Sequence, residues 1–100
     1  MVKLNDLEVK NLEGARYEML VEKSCKGFYD IYIGDSYIGF IEKIKSKWWL
    51  KLDCKEFISS GALARFNESD DSLFKTLSDA LDYVQERFSN CYCDFGNKLN

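Results

Sequence analysis

The residue types that carry most protein chemistry are thinly supplied here. There is no histidine among the 100 residues, so no Ser-His or Cys-His nucleophile pair and no histidine metal site can be assembled. The six glycines stand singly, which leaves no glycine-rich stretch to cradle a phosphate. Carboxylates come in pairs at Asp70 and Asp71 and at Asp79 and Asp82. On a loop and on the outer face of a helix such charges are ordinarily solvated, and a calcium loop needs regularly spaced oxygen ligands. Four cysteines remain, Cys25, Cys54, Cys91 and Cys93. A structural zinc site usually takes two closely spaced ligand pairs, and only Cys91 and Cys93 are near neighbours. The opening M-V-K-L-N-D-L-E-V-K places acids where a secretory signal needs an unbroken apolar run. The cysteines therefore read as reduced thiols in a cytoplasmic protein, and neither catalysis, a metal nor a cofactor is expected.

The constellation that survives this sieve is aromatic and basic. Residues 43–55 hold five lysines against Asp53, and residues 68–86 hold six acids against Lys75, within a chain of net charge −3. In K-S-K-W-W-L-K-L-D the two-residue period of a strand sends Trp48, Leu50 and Leu52 to one face and Lys47, Trp49 and Lys51 to the other. Trp48 then belongs to a core, and Trp49 is left among lysines as a contact residue. Such a surface could stack the bases of a single-stranded nucleic acid, dock a protein, or simply keep a sheet edge soluble. Phosphate binding draws on a broad cationic surface, which an acidic chain lacks.

Several strands and one helix must position these residues. Arg16 to Lys23 alternates, with Tyr17, Met19 and Val21 on one side, and predicts a strand ending at Cys-Lys-Gly. Phe28 to Ile33 predicts a second, with Tyr29, Ile31 and Ile33 opposite Phe28, Asp30 and Tyr32, and Gly34-Asp35 supplies a tight hairpin. In the third, strict alternation would bury Glu42 with Ile38 and Phe40, so a bulge at Gly39 is expected, which lets Ile38 and Ile41 both point inward. The fourth is Lys47 to Asp53, and a short fifth is expected at Ala62 to Phe66. Thr76 followed by Asp79 forms a capping signal, after which Leu77, Ala80, Leu81, Val84 and Phe88 recur on one helical stripe. That stripe is expected across Tyr29, Ile31, Trp48 and Leu50. Residues 2–13 fit neither period, and residues 91–100 have none, so 1–13 and 91–100 read as loose arms on a compact core of about 16–90.

The string I-Y-I-G-D-S-Y-I-G-F-I-E-K-I-K-S-K-W-W-L-K-L, with F-K-T-L-S-D-A-L-D-Y-V after it, resembles small uncharacterised bacterial and phage proteins that join a strand meander to one helix. The resemblance covers about residues 28–88 and implies that architecture and no activity. A similar order of elements occurs in coactivators that bind single-stranded DNA and in double-stranded-RNA-binding domains. The basic residues defining those families are missing, and the closing helix here is acidic.

The expectation is a single α+β domain spanning residues 1–100: an antiparallel sheet of four or five strands with one C-terminal helix on one face. Its composition, 46% hydrophobic and 15% aromatic, supplies more aromatic surface than one core needs. No window is long and apolar enough for a membrane helix. One helix leaves the second sheet face uncovered, and Phe28, Tyr32, Trp49 and Ile41 are too apolar for comfortable solvation there. This points to a non-enzymatic adaptor or inhibitor that binds a protein partner or itself, as a homodimer, through Phe28, Tyr32, Lys47, Trp49 and Lys51. A single-stranded nucleic-acid binder using the same face is the competing class.

Overall fold

The computed structural model describes residues 3–52, 73–89 and 95–99, with side chains from residue 7 on. The strands are β1 (Lys3–Lys10), β2 (Arg16–Cys25), β3 (Phe28–Ile33), β4 (Ser36–Ile44), β5 (Lys47–Leu52) and β6 (Leu73–Phe74), followed by the helix α1 (Leu77–Ser89). They form one antiparallel sheet in sequential order, β1-β2-β3-β4-β5-β6, curled into a half-barrel. The class is α+β as expected, but the sheet has six strands rather than four or five. The fifth strand anticipated at Ala62 to Phe66 lies outside the described residues, as do Asp70, Asp71, Cys54, Cys91 and Cys93.

The uncounted strands have identifiable causes. β1 comes from the arm without a clean period, because its pairing with β2 shifts register between Leu4 and Leu7. An irregularity of that kind interrupts the alternation by which a strand is read from sequence. β6 is only two residues, pairing Phe74 with Trp48 and Leu73 with Trp49, too short to carry any period. Between β1 and β2 the carboxamide oxygen of Asn11 accepts the backbone N–H groups of Glu13 and Ala15 at 2.9 and 3.0 Å, which explains how a polar side chain sits buried in a turn.

The inward faces agree with the alternation. Val9, Tyr17, Met19, Val21, Ile31, Ile33, Ile38, Ile41, Leu50 and Leu52 are all buried. In β4 the ladder pairs Ile31 with Gly39 and Tyr32 with Tyr37, so Ile38 is the extra residue of a bulge. Ile38 and Ile41 thereby both face the core while Phe40 and Glu42 turn outward. Gly39 takes φ 153° and lies so close to β5 that a Cβ would run into the Lys51 carbonyl, which is why the bulge falls on a glycine.

Thr76 caps α1, its hydroxyl accepting the Asp79 N–H at 3.0 Å. Ala80, Leu81, Val84 and Phe88 are buried and Leu77 packs beside them, so the stripe is the one expected. Its seat takes in the expected β5, which carries Trp48 and Leu50, and extends to β1 and β6, so that α1 bridges the margins of the curled sheet. Gln85 reaches the margin directly, donating from Nε2 to the Glu8 carbonyl at 3.1 Å.

Neither terminal arm is loose where it is described. β1 is paired along its length, and Phe95 is fully buried. The Phe95 ring meets Tyr17 edge-on at 5.1 Å and Phe88 at 5.4 Å. Its carbonyl accepts the Asp35 N–H at 2.8 Å and the Ser36 hydroxyl at 3.2 Å. Leu99 then bridges to Arg16. A segment lacking periodicity is held here by one aromatic plug and a few backbone bonds, which no pattern of hydrophobicity announces.

Candidate interaction surface

The outer face of the half-barrel is built from the alternate residues of β2 to β6. The ladder places Phe28, Glu42, Trp49 and Leu73 side by side in one row. The next row is Glu22, Asp30, Phe40 and Lys51. Beyond it lie Leu20, Tyr32 and Tyr37, and at the other end Ile44 pairs with Lys47.

Across these rows the rings touch. Phe28 and Phe40 stack with centroids 4.9 Å apart and planes 21° from parallel, and Trp49 sets its edge to Phe40 at 5.5 Å. Tyr32 and Tyr37 pair at 5.4 Å, and the Tyr37 hydroxyl donates to Asp30 at 3.1 Å. Phe28, Tyr32, Phe40 and Trp49 are each half-buried, covered by their neighbours and not by any overlying layer among the described residues. Tyr37, Ile44 and Leu73 stand further out, exposed by 38%, 43% and 37%. Lys47 and Lys51 are exposed at the β5 side.

Of the residues named from sequence, Phe28, Tyr32, Lys47, Trp49 and Lys51 all fall on this face. Phe28 and Trp49 meet only through Phe40. Ile41 does not belong here: the bulge at Gly39 turns it inward, where it is fully buried. Phe40 is the residue that sequence reasoning did not assign to the surface, and the same bulge that buries Ile41 exposes it. Ile44 and Leu73 were also missed, the first although the bulge at Gly39 already gives it the outward parity of Glu42 and the second because β6 is so short.

Trp48 lies on the inner side, but at its rim. It is half-buried, tilted against Tyr29 at 5.9 Å, with the Lys43 ammonium 5.6 Å over its ring. Among the described residues no three acidic, cysteine or histidine side chains gather where a metal could be held, and no buried side-chain nitrogen or oxygen lacks a hydrogen bond. No described helix is long and apolar enough to cross a membrane. What this face offers is preformed aromatic contact area edged by acids on β2 and β3 and by lysines on β5. The chain matches no family model, no curated protein and no solved structure.

Proposed function

We propose that this chain is a non-enzymatic interaction protein, an adaptor or inhibitor working in the cytoplasm, that docks a protein surface through the outer face of its sheet. The observation that carries this reading is the continuous Phe28-Phe40-Trp49 stack, with Tyr37, Ile44 and Leu73 exposed around it. Rings already packed on one another lose little rotamer freedom on binding, and aromatic residues dominate the energetics of protein interfaces. Apolar area of this kind on a strand face is removed from water most readily by another protein surface.

Single-stranded nucleic acid, the alternative, fits the same rings less well. Glu42 stands in register between Phe28 and Trp49, and Asp30 stands beside Phe40. A phosphate chain following bases stacked on the rings would meet both carboxylates, with Lys47 and Lys51 the only cations among the described residues of these rows to offset them.

The discriminating experiment titrates the protein with single-stranded oligonucleotides at low and high salt while recording tryptophan fluorescence. It runs beside affinity capture of protein partners by wild-type chain and by the Phe40→Ala and Trp49→Ala variants. Capture that both substitutions abolish, without salt-sensitive quenching, is expected. Salt-sensitive quenching lost in Trp49→Ala would overturn the protein-docking reading in favour of nucleic acid.

A further inference from the structure

Lysines gather at one end of the half-barrel. Two hairpin turns lie there side by side, Lys26 and Gly27 between β2 and β3, and Lys45 and Ser46 between β4 and β5. They are tied together: the Gly27 carbonyl accepts the Lys43 N–H at 2.7 Å, and a Cβ on Gly27 would lie 3.3 Å from that of Lys43. Lys43 and Lys47 flank the second turn, and Lys75 follows Phe74, whose ladder partner Trp48 is the residue next to Lys47. All five lysines are exposed, and no carboxylate among the described residues pairs with any of them. In their midst stands Ile44, exposed by 43%, with Lys43 and Lys45 beside it in the chain and Lys47 across the ladder.

The chain as a whole carries net charge −3, yet exposed charge acts locally. The molecule extends 38 Å along its longest axis, whereas physiological salt screens such charges over about 8 Å. Among the described residues the acids adjoining this end are Glu42, one row back beside Trp49, and Asp79 in the first turn of α1. Five lysines outweigh them.

Hairpin turns at a sheet end make an apex, and this one has an apolar tip ringed by cations. Trp48 offers no free ring for a base to stack on, being half-buried with the Lys43 ammonium over its face. Nucleic-acid phosphates would answer the lysines and leave Ile44 in water. A bilayer with anionic headgroups answers both features, because lysine stems lie along the interface with their ammonium groups among the headgroups while an apolar side chain between them leaves water. We propose that this end of the molecule docks on an anionic membrane surface, Ile44 entering the headgroup layer and the lysines around it binding the lipid headgroups. The contact uses none of Phe28, Phe40 and Trp49, so the outer face of the sheet stays open to a protein.

Vesicle co-sedimentation tests it. Wild-type protein is expected on vesicles of phosphatidylcholine containing about one third phosphatidylserine, and not on phosphatidylcholine alone. Lys26→Ala with Lys75→Ala should weaken that binding about 25-fold, since each lysine near an anionic surface contributes about fivefold. Ile44→Ser keeps every charge and should still weaken it about fivefold. Lys10→Ala with Lys98→Ala, near Arg16 and Leu99 at the opposite end, should change it less than about twofold. All these positions are exposed, and circular dichroism checks that each variant is folded. Absence of wild-type binding, equal binding to neutral vesicles, equal loss in the Lys10 and Lys98 variant, or indifference to Ile44→Ser would each overturn the proposal. Salt-sensitive binding of a single-stranded oligonucleotide, weakened by the Lys26 and Lys75 changes and untouched by Ile44→Ser, in a protein that leaves the vesicles bare, would assign this end to nucleic acid instead.

Discussion

Trp48 packs between Tyr29 and the Lys43 ammonium at the rim of the core, whereas Trp49 leans on Phe40 outside it. Removing each ring therefore probes a different property. Trp48→Ala should cost about 2 to 3 kcal/mol, the lower part of what a large core truncation costs, because the ring is only half-buried. Trp49→Ala loses an edge-to-face aromatic contact and should cost about 1 kcal/mol while removing association. Urea denaturation measures the first pair of numbers, and equal losses would contradict the inner and outer assignment. Gly39→Ala should be worse than either of its strand neighbours would suggest, by about 2 to 4 kcal/mol, since its φ is unfavourable and the atoms in the way are β5 backbone. The alternation of Lys47 to Leu52 was fully legible because neither edge of that run is distorted. The bulge at Gly39 was legible too, from the acid that strict alternation would have buried at Glu42, and it already turns Phe40 outward; what the pattern did not carry was the contact of Phe40 with Phe28 and Trp49 across neighbouring strands.

Among the elements, those with several turns or alternations were readable and those held by a few specific contacts were not. The Thr76 cap and the α1 stripe follow from side chains within the helix itself. β1 depends on a partner strand and carries an irregularity between Leu4 and Leu7, so its own pattern understates it. The Phe95–Leu99 segment is the extreme case, fixed by the Tyr17 and Phe88 rings and by donors from Asp35 and Ser36. Its importance is measurable. Phe95→Ala should cost about 3 to 5 kcal/mol, as for a fully buried aromatic in a core, whereas a tail merely lying on the surface would lose less than about 0.5 kcal/mol.

At the scale of the molecule, β1 to β5 are neighbours in sequence as well as in space, and each hairpin can form as soon as its own residues exist, within about 1 to 10 microseconds. The closing contacts are of another kind. Gln85 bonds to Glu8 across 77 residues of chain, and Leu99 meets Arg16. During synthesis the concave side of the meander, with Ile31, Ile41 and Leu50, therefore lacks the cover of α1 and the tail until both have left the ribosome. A ribosome-stalled chain ending at residue 76 should bind a hydrophobic dye and yield readily to protease, and one ending at residue 100 with its tail clear of the exit tunnel should do neither. The helix that bridges the half-barrel is thus also its clock: made after the strands it covers, it ends the nascent sheet's exposure to chaperones and proteases.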